Sequence, residues 1–173
     1  MSDDPRDLVA MHRAHWPETF DARLMPFVVA LHRARDQHMK RSEAVSARYG
    51  LSPAELDVLI TLRRSPPPWV LTPSELKRCV FITSGGLAKI LQQLAAKGLV
   101  ARLTDSGDRR VKPVQLTEAG QPIVAAALDE IVARTSAWVG ARLSDDEIDQ
   151  ATAILTKLVG TGGGSGDHIC LAR

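Results

Sequence analysis

The chain has 173 residues, 45% of them hydrophobic, with a net charge of +2. That supply of apolar side chains excludes global disorder, and the length fits one domain with added helices for pairing. No apolar run is long enough to span a bilayer, and the acidic start Met1-Ser2-Asp3-Asp4 lacks a signal-peptide pattern.

A cytoplasmic location without membrane association is therefore expected. Two cysteines far apart, Cys79 and Cys170, do not suggest a disulfide framework. The charge is unevenly spread. Residues 72–118 carry eight basic side chains (Lys77, Arg78, Lys89, Lys97, Arg102, Arg109, Arg110, Lys112) against four acids, whereas residues 119–173 carry four against seven. Phosphate contacts are thus expected in the middle of the chain. For Lys97 and Lys77 a solvated charged face is the plainer reading.

Met1 to His15 is weakly amphipathic and reads as one short helix. The next helix enters near Leu24, with Pro26 in its first turn. Leu24, Phe27, Val28, Leu31 and later Val45 recur at helical spacing, and Gly50 is a left-handed cap. Ser52 opens a helix carrying Leu56, Leu59, Ile60 and Leu62, with Glu55 completing a capping box. Ser65-Pro66-Pro67-Pro68 stops it, and Trp69-Val70-Leu71 reads as a short extended piece. Thr72 caps a third helix in the same way, and a fourth runs from Thr83 to Lys97, closed by Gly98. Leu99 to Thr104 and Val111 to Thr117 alternate as two strands of a hairpin. A long helix from about Gln121 to Arg142 follows, with Pro122 in its first turn. Ser144-Asp145-Asp146-Glu147 is a third capping box, opening a helix up to Val159.

Helix, helix, helix, hairpin is the order of a winged helix-turn-helix. The expected class is mainly α with a small β-hairpin wing (α+β), flanked by N- and C-terminal dimerisation helices. The chain divides into an N-terminal segment and dimer helix (1–50), a DNA-binding lobe (51–120), C-terminal dimerisation helices (121–159) and a flexible tail (160–173). Ile123, Ile131, Trp138, Ile148, Leu155 and Leu158 are candidates to cover a partner subunit, and packing within their own chain is the alternative.

A recognition helix needs small or polar residues at its start, so that it sits deep in the major groove and offers backbone donors to phosphate. Thr83, Ser84, Gly85 and Gly86 meet that need. Lys89, Gln92 and Gln93 follow on the next turns, where Gln addresses adenine edges and Lys reaches guanine or phosphate. Ser74, at the start of the preceding helix, joins them as a DNA contact. On the hairpin, Asp108 is expected to orient the tip, while Arg109 or Arg110 enters the minor groove and Lys112 lies close behind. Double-stranded DNA is therefore the expected partner.

Asp108-x-Arg110-x-x-x-Val114-x-Leu116-Thr117-x-x-Gly120 closely resembles the wing signature of the MarR family of bacterial transcriptional regulators, and the resemblance extends over roughly the whole chain. It implies a homodimer on a palindromic operator, with recognition helices in successive major grooves. Trp16, Glu55-Leu56-Asp57-Val58-Leu59 and Pro67-Pro68-Trp69-Val70-Leu71-Thr72-Pro73 are similar to the PecS-like, urate-responsive subgroup. That likeness implies a repressor released by a small anionic, aromatic or purine-like ligand, held by Trp16, Asp57 and Arg102. The subgroup's second arginine falls at Ile90, which cannot balance an anion, so the ligand is expected to differ from urate or to carry less charge. Asp57 on an otherwise apolar helix needs a partner, and Arg102 is the candidate. A purely structural Asp57–Arg102 pair and a core Trp16 are the alternative.

Thiol oxidation is a weaker reading. Cys79, at the end of a helix, reads as a small buried hydrophobe, and Cys170 lies in the tail. His12, His15, His32 and His38 lack a carboxylate or cysteine to complete a metal set. No nucleophile elbow, phosphate loop or metal motif is found, and no second domain to hold a cofactor, so neither an enzyme nor a cofactor is expected. A winged helix used only for protein contacts would have a neutral recognition face, unlike this one.

Overall fold

Local capping rules place most of the helices. The computed structural model describes residues 5–80, 84–103 and 112–160. They fall into two units that divide between Ser42 and Glu43. In the first, α1 (Pro5–His15) leads into a 3-10 turn, Pro17–Thr19, and then α2 (Leu24–Arg48). The Asp21 carboxylate accepts from the backbone N–H groups of Arg23 and Leu24 at 2.7 and 2.8 Å, which satisfies orphan donors at the start of α2. Those two bonds hold the Asp21 carboxyl below its ordinary range. The α1 end folds onto the turn through side chains. The His12 ring stacks on Trp16 at 5.5 Å and pairs with the Thr19 hydroxyl at 2.8 Å, and the Arg13 guanidinium lies 4.8 Å over Phe20.

The division falls inside α2 because its last turns pack in the second unit, where Val45 and Ser46 are fully buried. Gly50, at φ +66°, ends that helix, with the Leu51 N–H donating to Ser46 and the Gly50 N–H to Ala47. This is the paired bonding of a Schellman cap, which favours glycine. The same pattern recurs at Gly98.

Reciprocal capping boxes at Ser52/Glu55, Thr72/Glu75 and Ser144/Glu147 open α3 (Pro53–Arg64), α4 (Pro73–Cys79) and α7 (Asp145–Val159). Each satisfies N–H groups that have no partner within the helix. Between them lie β1 (Val70–Leu71), α5 (Ser84–Ala96), β2 (Val100–Arg102), β3 (Val114–Leu116) and α6 (Gly120–Gly140). The sheet is antiparallel in the order β1-β3-β2, with Leu71 and Arg102 both opposite Val114. The winged-helix class is thus observed, with strands shorter than the alternation suggested. The segment expected at the wing tip, including Asp108, Arg109 and Arg110, lies outside the described residues.

The core of the second unit gathers Leu56, Leu59 and Leu62 of α3, Leu76 of α4, Leu91 and Leu94 of α5, Val114 and Leu116 of β3, and Val124 of α6. Ile123 and Ile131 pack against it, so these two serve their own chain. At the start of α6, Gly120 is buried against Leu99 and Leu116. Leu155 and Leu158 remain exposed. The end of α2 is tied to α6 by Arg48, 2.6 Å from Glu130, and Arg134 shares the same Glu130 oxygen at 2.7 Å. Among the described residues, no helix is long and apolar enough to cross a membrane.

Candidate nucleic-acid interface

Helix α5 has two opposed stripes. Leu87, Ile90, Leu91 and Leu94, at positions i, i+3, i+4 and i+7, point into the core. Gly85, Lys89, Gln92 and Gln93 are exposed, and the last three share one face at i, i+3 and i+4. The core stripe anchors the helix, and the other side offers an ammonium and two amides to whatever approaches. A Cβ on Gly85 would meet nothing within 4 Å. Its absence therefore serves no internal packing and leaves the helix start slim. Gly86 is half-buried on the same helix. Ser84 begins α5, while its side chain and all of Thr83 lie outside the described residues.

Three further cations of the second unit are exposed: Lys77 and Arg78 in the last turn of α4, and Lys112, two residues before β3. Ser74 is exposed in the first turn of α4. This set of groups suits a polyanion, with exposed cationic side chains in the same unit as a helix whose polar amides can address base edges.

The residues assigned to a ligand fall in different places. Trp16 is 61% exposed in the first unit. Arg102 ends β2 with an exposed side chain. Ile90 is 8% exposed and belongs to the core of the second unit. Asp57, on α3, is half-buried. The expected Asp57–Arg102 ion pair is absent among the described residues. Burial raises the Asp57 carboxyl above its ordinary range, and Arg64, two helical turns further along α3, partly offsets this. Spacing along α3 decides the matter, because Arg64 lies on the Asp57 face.

The raised Asp57 value has a definite sign. A carboxyl whose folded-state pKa exceeds its unfolded value contributes most below the ordinary carboxylate range, and that contribution is lost as pH rises through the raised value. Asp57→Asn is expected to melt higher than the unsubstituted protein at neutral pH, with the gap closing as pH falls through the carboxylate range. Thermal melts of both proteins across that range check it, and a pH-independent gap rules it out.

Two positions were not read correctly from sequence. Lys97 is not simply solvated. Its Nζ donates to the Glu55 carboxylate at 2.7 Å and to the Gly50 carbonyl at 2.8 Å. Burial alone would raise the Glu55 carboxyl, but Lys97 and the backbone and hydroxyl of Ser52 together hold it below its ordinary value. Cys79, read as a buried hydrophobe, is disulfide-bonded. It is half-buried at the end of α4. The other cysteine of the chain, Cys170, lies outside the described residues. No group of three or more metal-ligating side chains occurs among the described residues.

A family model described as MarR family matches residues 49–111. The HTH-type transcriptional regulator PecS of Dickeya dadantii is 30% identical over 126 residues, which cover 73% of this chain and 75% of PecS. An uncharacterized HTH-type transcriptional regulator of Bacillus cereus is also 30% identical, over 73% of this chain and 82% of its own length. Among solved structures, a mutant MarR from E. coli complexed with operator DNA matches with a TM-score of 0.67 at 21% identity, covering 92% of this chain and all of that one. The transcriptional repressor CouR bound to a 23-mer DNA duplex matches with the same TM-score at 24% identity, over 76% and 91%. These structures share the fold, and the sequence relationship to PecS settles the family. The chain belongs to the MarR family of DNA-binding, HTH-type transcriptional regulators.

Proposed function

We propose that the protein is a homodimeric repressor that binds a palindromic operator and leaves it when a small ligand binds. The observation that carries the reading is the exposed Lys89, Gln92 and Gln93 face of α5, set opposite a fully anchored apolar stripe. Each lobe places that face in a major groove, with half-sites about 10 bp apart as a two-fold dimer requires. Lys112 and the wing residues Arg109 and Arg110 add backbone and minor-groove contacts, with Asp108 orienting the tip. Ser74, Thr83, Ser84 and Gly86 are assigned as further DNA contacts. The DNA-bound states of MarR and CouR support this docking.

Pairing is supported by apolar side chains left in water, among them Ile154, Leu158 and Val159 of α7 and Leu24 of α2. A soluble monomer seldom leaves such stripes uncovered. Asp57 supports the effector half of the reading, as a half-buried carboxylate without an ion-pair partner among the described residues. A ligand that donates a hydrogen bond to Asp57 in one state of the protein and not in the other shifts the equilibrium between them. Trp16 and Arg102 join it through the family resemblance, and Ile90 supplies an apolar contact in place of a second cation. The ligand class is a small aromatic or purine-like molecule of low charge.

Fluorescence anisotropy with the DNA beside its own gene tests the proposal. Tight, salt-sensitive binding is expected, lost on titration with a phenolic acid or purine. Lys89→Ala should change base preference at one position of each half-site by about tenfold. An unaltered preference removes α5 from base reading. The bonded state of Cys79 favours a second reading, release by thiol–disulfide exchange. Operator affinity that responds to a dithiol reductant and to no small ligand selects it.

A further inference from the structure

We propose that Lys97 is a positioning residue for base readout, because its clasp on Gly50 and Glu55 sets the angle at which α5 leaves the lobe. The inference rests on the reading of α5 as the helix that reads DNA.

The Lys97 side chain occupies a junction of three helix ends. It follows directly on the last residue of α5, it donates to the carbonyl of Gly50 just beyond α2, and it meets the Glu55 carboxylate in the first turn of α3. Two of those ends are C-termini, whose unpaired carbonyls favour a cation. The third is an N-terminus, which favours the carboxylate. The charges thus sit where the helix dipoles want them. Glu55 is only 4% exposed and also accepts from the Ser52 N–H at 2.7 Å. It is held in place and can serve as a fixed anchor.

The opposite side of the same helix end is fixed separately. The Thr117 hydroxyl donates to the Gly98 carbonyl at 2.8 Å, and its N–H donates to Leu99 at 3.1 Å. Lys97 therefore supplies one of two lateral tethers, the one toward the corner between α2 and α3. The reading face lies N-terminal to both tethers. Lys89 is eight residues back, about 12 Å along the axis. A tilt of about 15° about the C-terminal end of α5 therefore moves Lys89 by about 3 Å. That is close to one base step of about 3.4 Å. Slack in the clasp would blur which base Lys89 and Gln92 meet while leaving phosphate contacts largely intact.

A direct phosphate contact is the competing role for an exposed lysine. The ammonium has three donors, and two are already engaged at hydrogen-bonding distance inside the protein.

The test uses the full chain and an operator selected from random duplexes with the unsubstituted protein, with a scrambled duplex as the reference. In Lys97→Met the ratio of operator to scrambled affinity is expected to fall about tenfold, the scale of one lost base contact. Scrambled-duplex affinity and the slope of log K against log salt should stay unchanged, and Lys97→Arg should restore the ratio. Where Lys97→Met fails to fold, Glu55→Gln carries the same expectation, because glutamine keeps the capping box while the charge pair is lost. An unchanged ratio in a folded variant overturns the proposal and leaves the clasp purely structural. So does equal weakening on both duplexes with a salt slope reduced by about one, the mark of a phosphate contact. If the unsubstituted protein selects no preferred duplex, the reading of α5 itself fails and this inference with it. That failure shows before any substitution is made.

Discussion

Replacing Ile154 and Leu158 together with Asp is expected to leave a folded monomer and to lower operator affinity by about 100- to 10,000-fold, the range spanned by linked binding sites. The two side chains are 57% and 56% exposed and lie four residues apart, hence on one face of α7. Neither belongs to the core of its own chain, so the substitution removes little internal packing. In a paired protein that face is covered, and each buried carboxylate would cost several kcal/mol unless it found a partner. Two such charges per subunit, met by the same two from the other, disfavour association strongly. The loss in affinity follows from geometry. One lobe bound to a half-site holds its twin beside the next half-site at high effective concentration, and a monomer forfeits that gain. Light scattering after size exclusion reads the mass, and anisotropy on the operator reads the affinity. A dimer of unchanged mass places the pairing surface elsewhere. A monomer that binds with full affinity discards the palindromic reading.

The short-range features of the fold were legible because their causes are short-range. Ser52-x-x-Glu55, Thr72-x-x-Glu75 and Ser144-x-x-Glu147 each close a box within four residues, and all three boxes form. Gly50 and Gly98 sit where a left-handed residue is needed, and both adopt it. The apolar side chains of α5 recur at helical spacing and are buried as a unit. Lys89, Gln92 and Gln93 were legible as polar residues on the turns after a small-residue helix start, and all three are exposed.

What escaped depends on partners far away in the chain. Glu55 and Lys97 are 42 residues apart, and Arg48 and Glu130 are 82 apart. Nothing local marks either pair, so Lys97 looked solvated. The charged neighbour of Asp57 was sought in Arg102, across the fold, when Arg64 on the same helix supplies it. Ile123 and Ile131 were grouped with Leu155 and Leu158 because all are apolar on terminal helices. Which of them face the core depends on how α6 docks, and at the start of that helix one glycine, Gly120, lies against Leu99.

That glycine carries the last expectation, a loss of stability in Gly120→Ala that a helix scale would not foresee. A Cβ at Gly120 would stand 2.5 Å from the carbonyl oxygen of Leu99 and 2.8 Å from the Cδ1 of Leu116. The oxygen is backbone, and it already accepts from the Thr117 N–H. It cannot swing aside as a side chain would. Relief requires α6 to lift from the end of α5 or the Thr117 bond to break, and either loosens the corner that joins β3 to α6. Overpacking of this kind costs about 1–3 kcal/mol, against which alanine's better helix propensity returns at most about 1 kcal/mol. The melting temperature should fall by roughly 2–8 °C for the alanine variant, given about 2–4 °C per kcal/mol at this size, and further for Gly120→Val. Gly140 provides the control, since a Cβ there meets nothing within 4 Å. Gly140→Ala should be neutral or slightly stabilising, by up to about 1 kcal/mol. Equal melting temperatures for Gly120→Ala and Gly140→Ala would show that the corner yields freely, and that the glycine in the wing signature is kept for a reason other than the approach of α6 to Leu99.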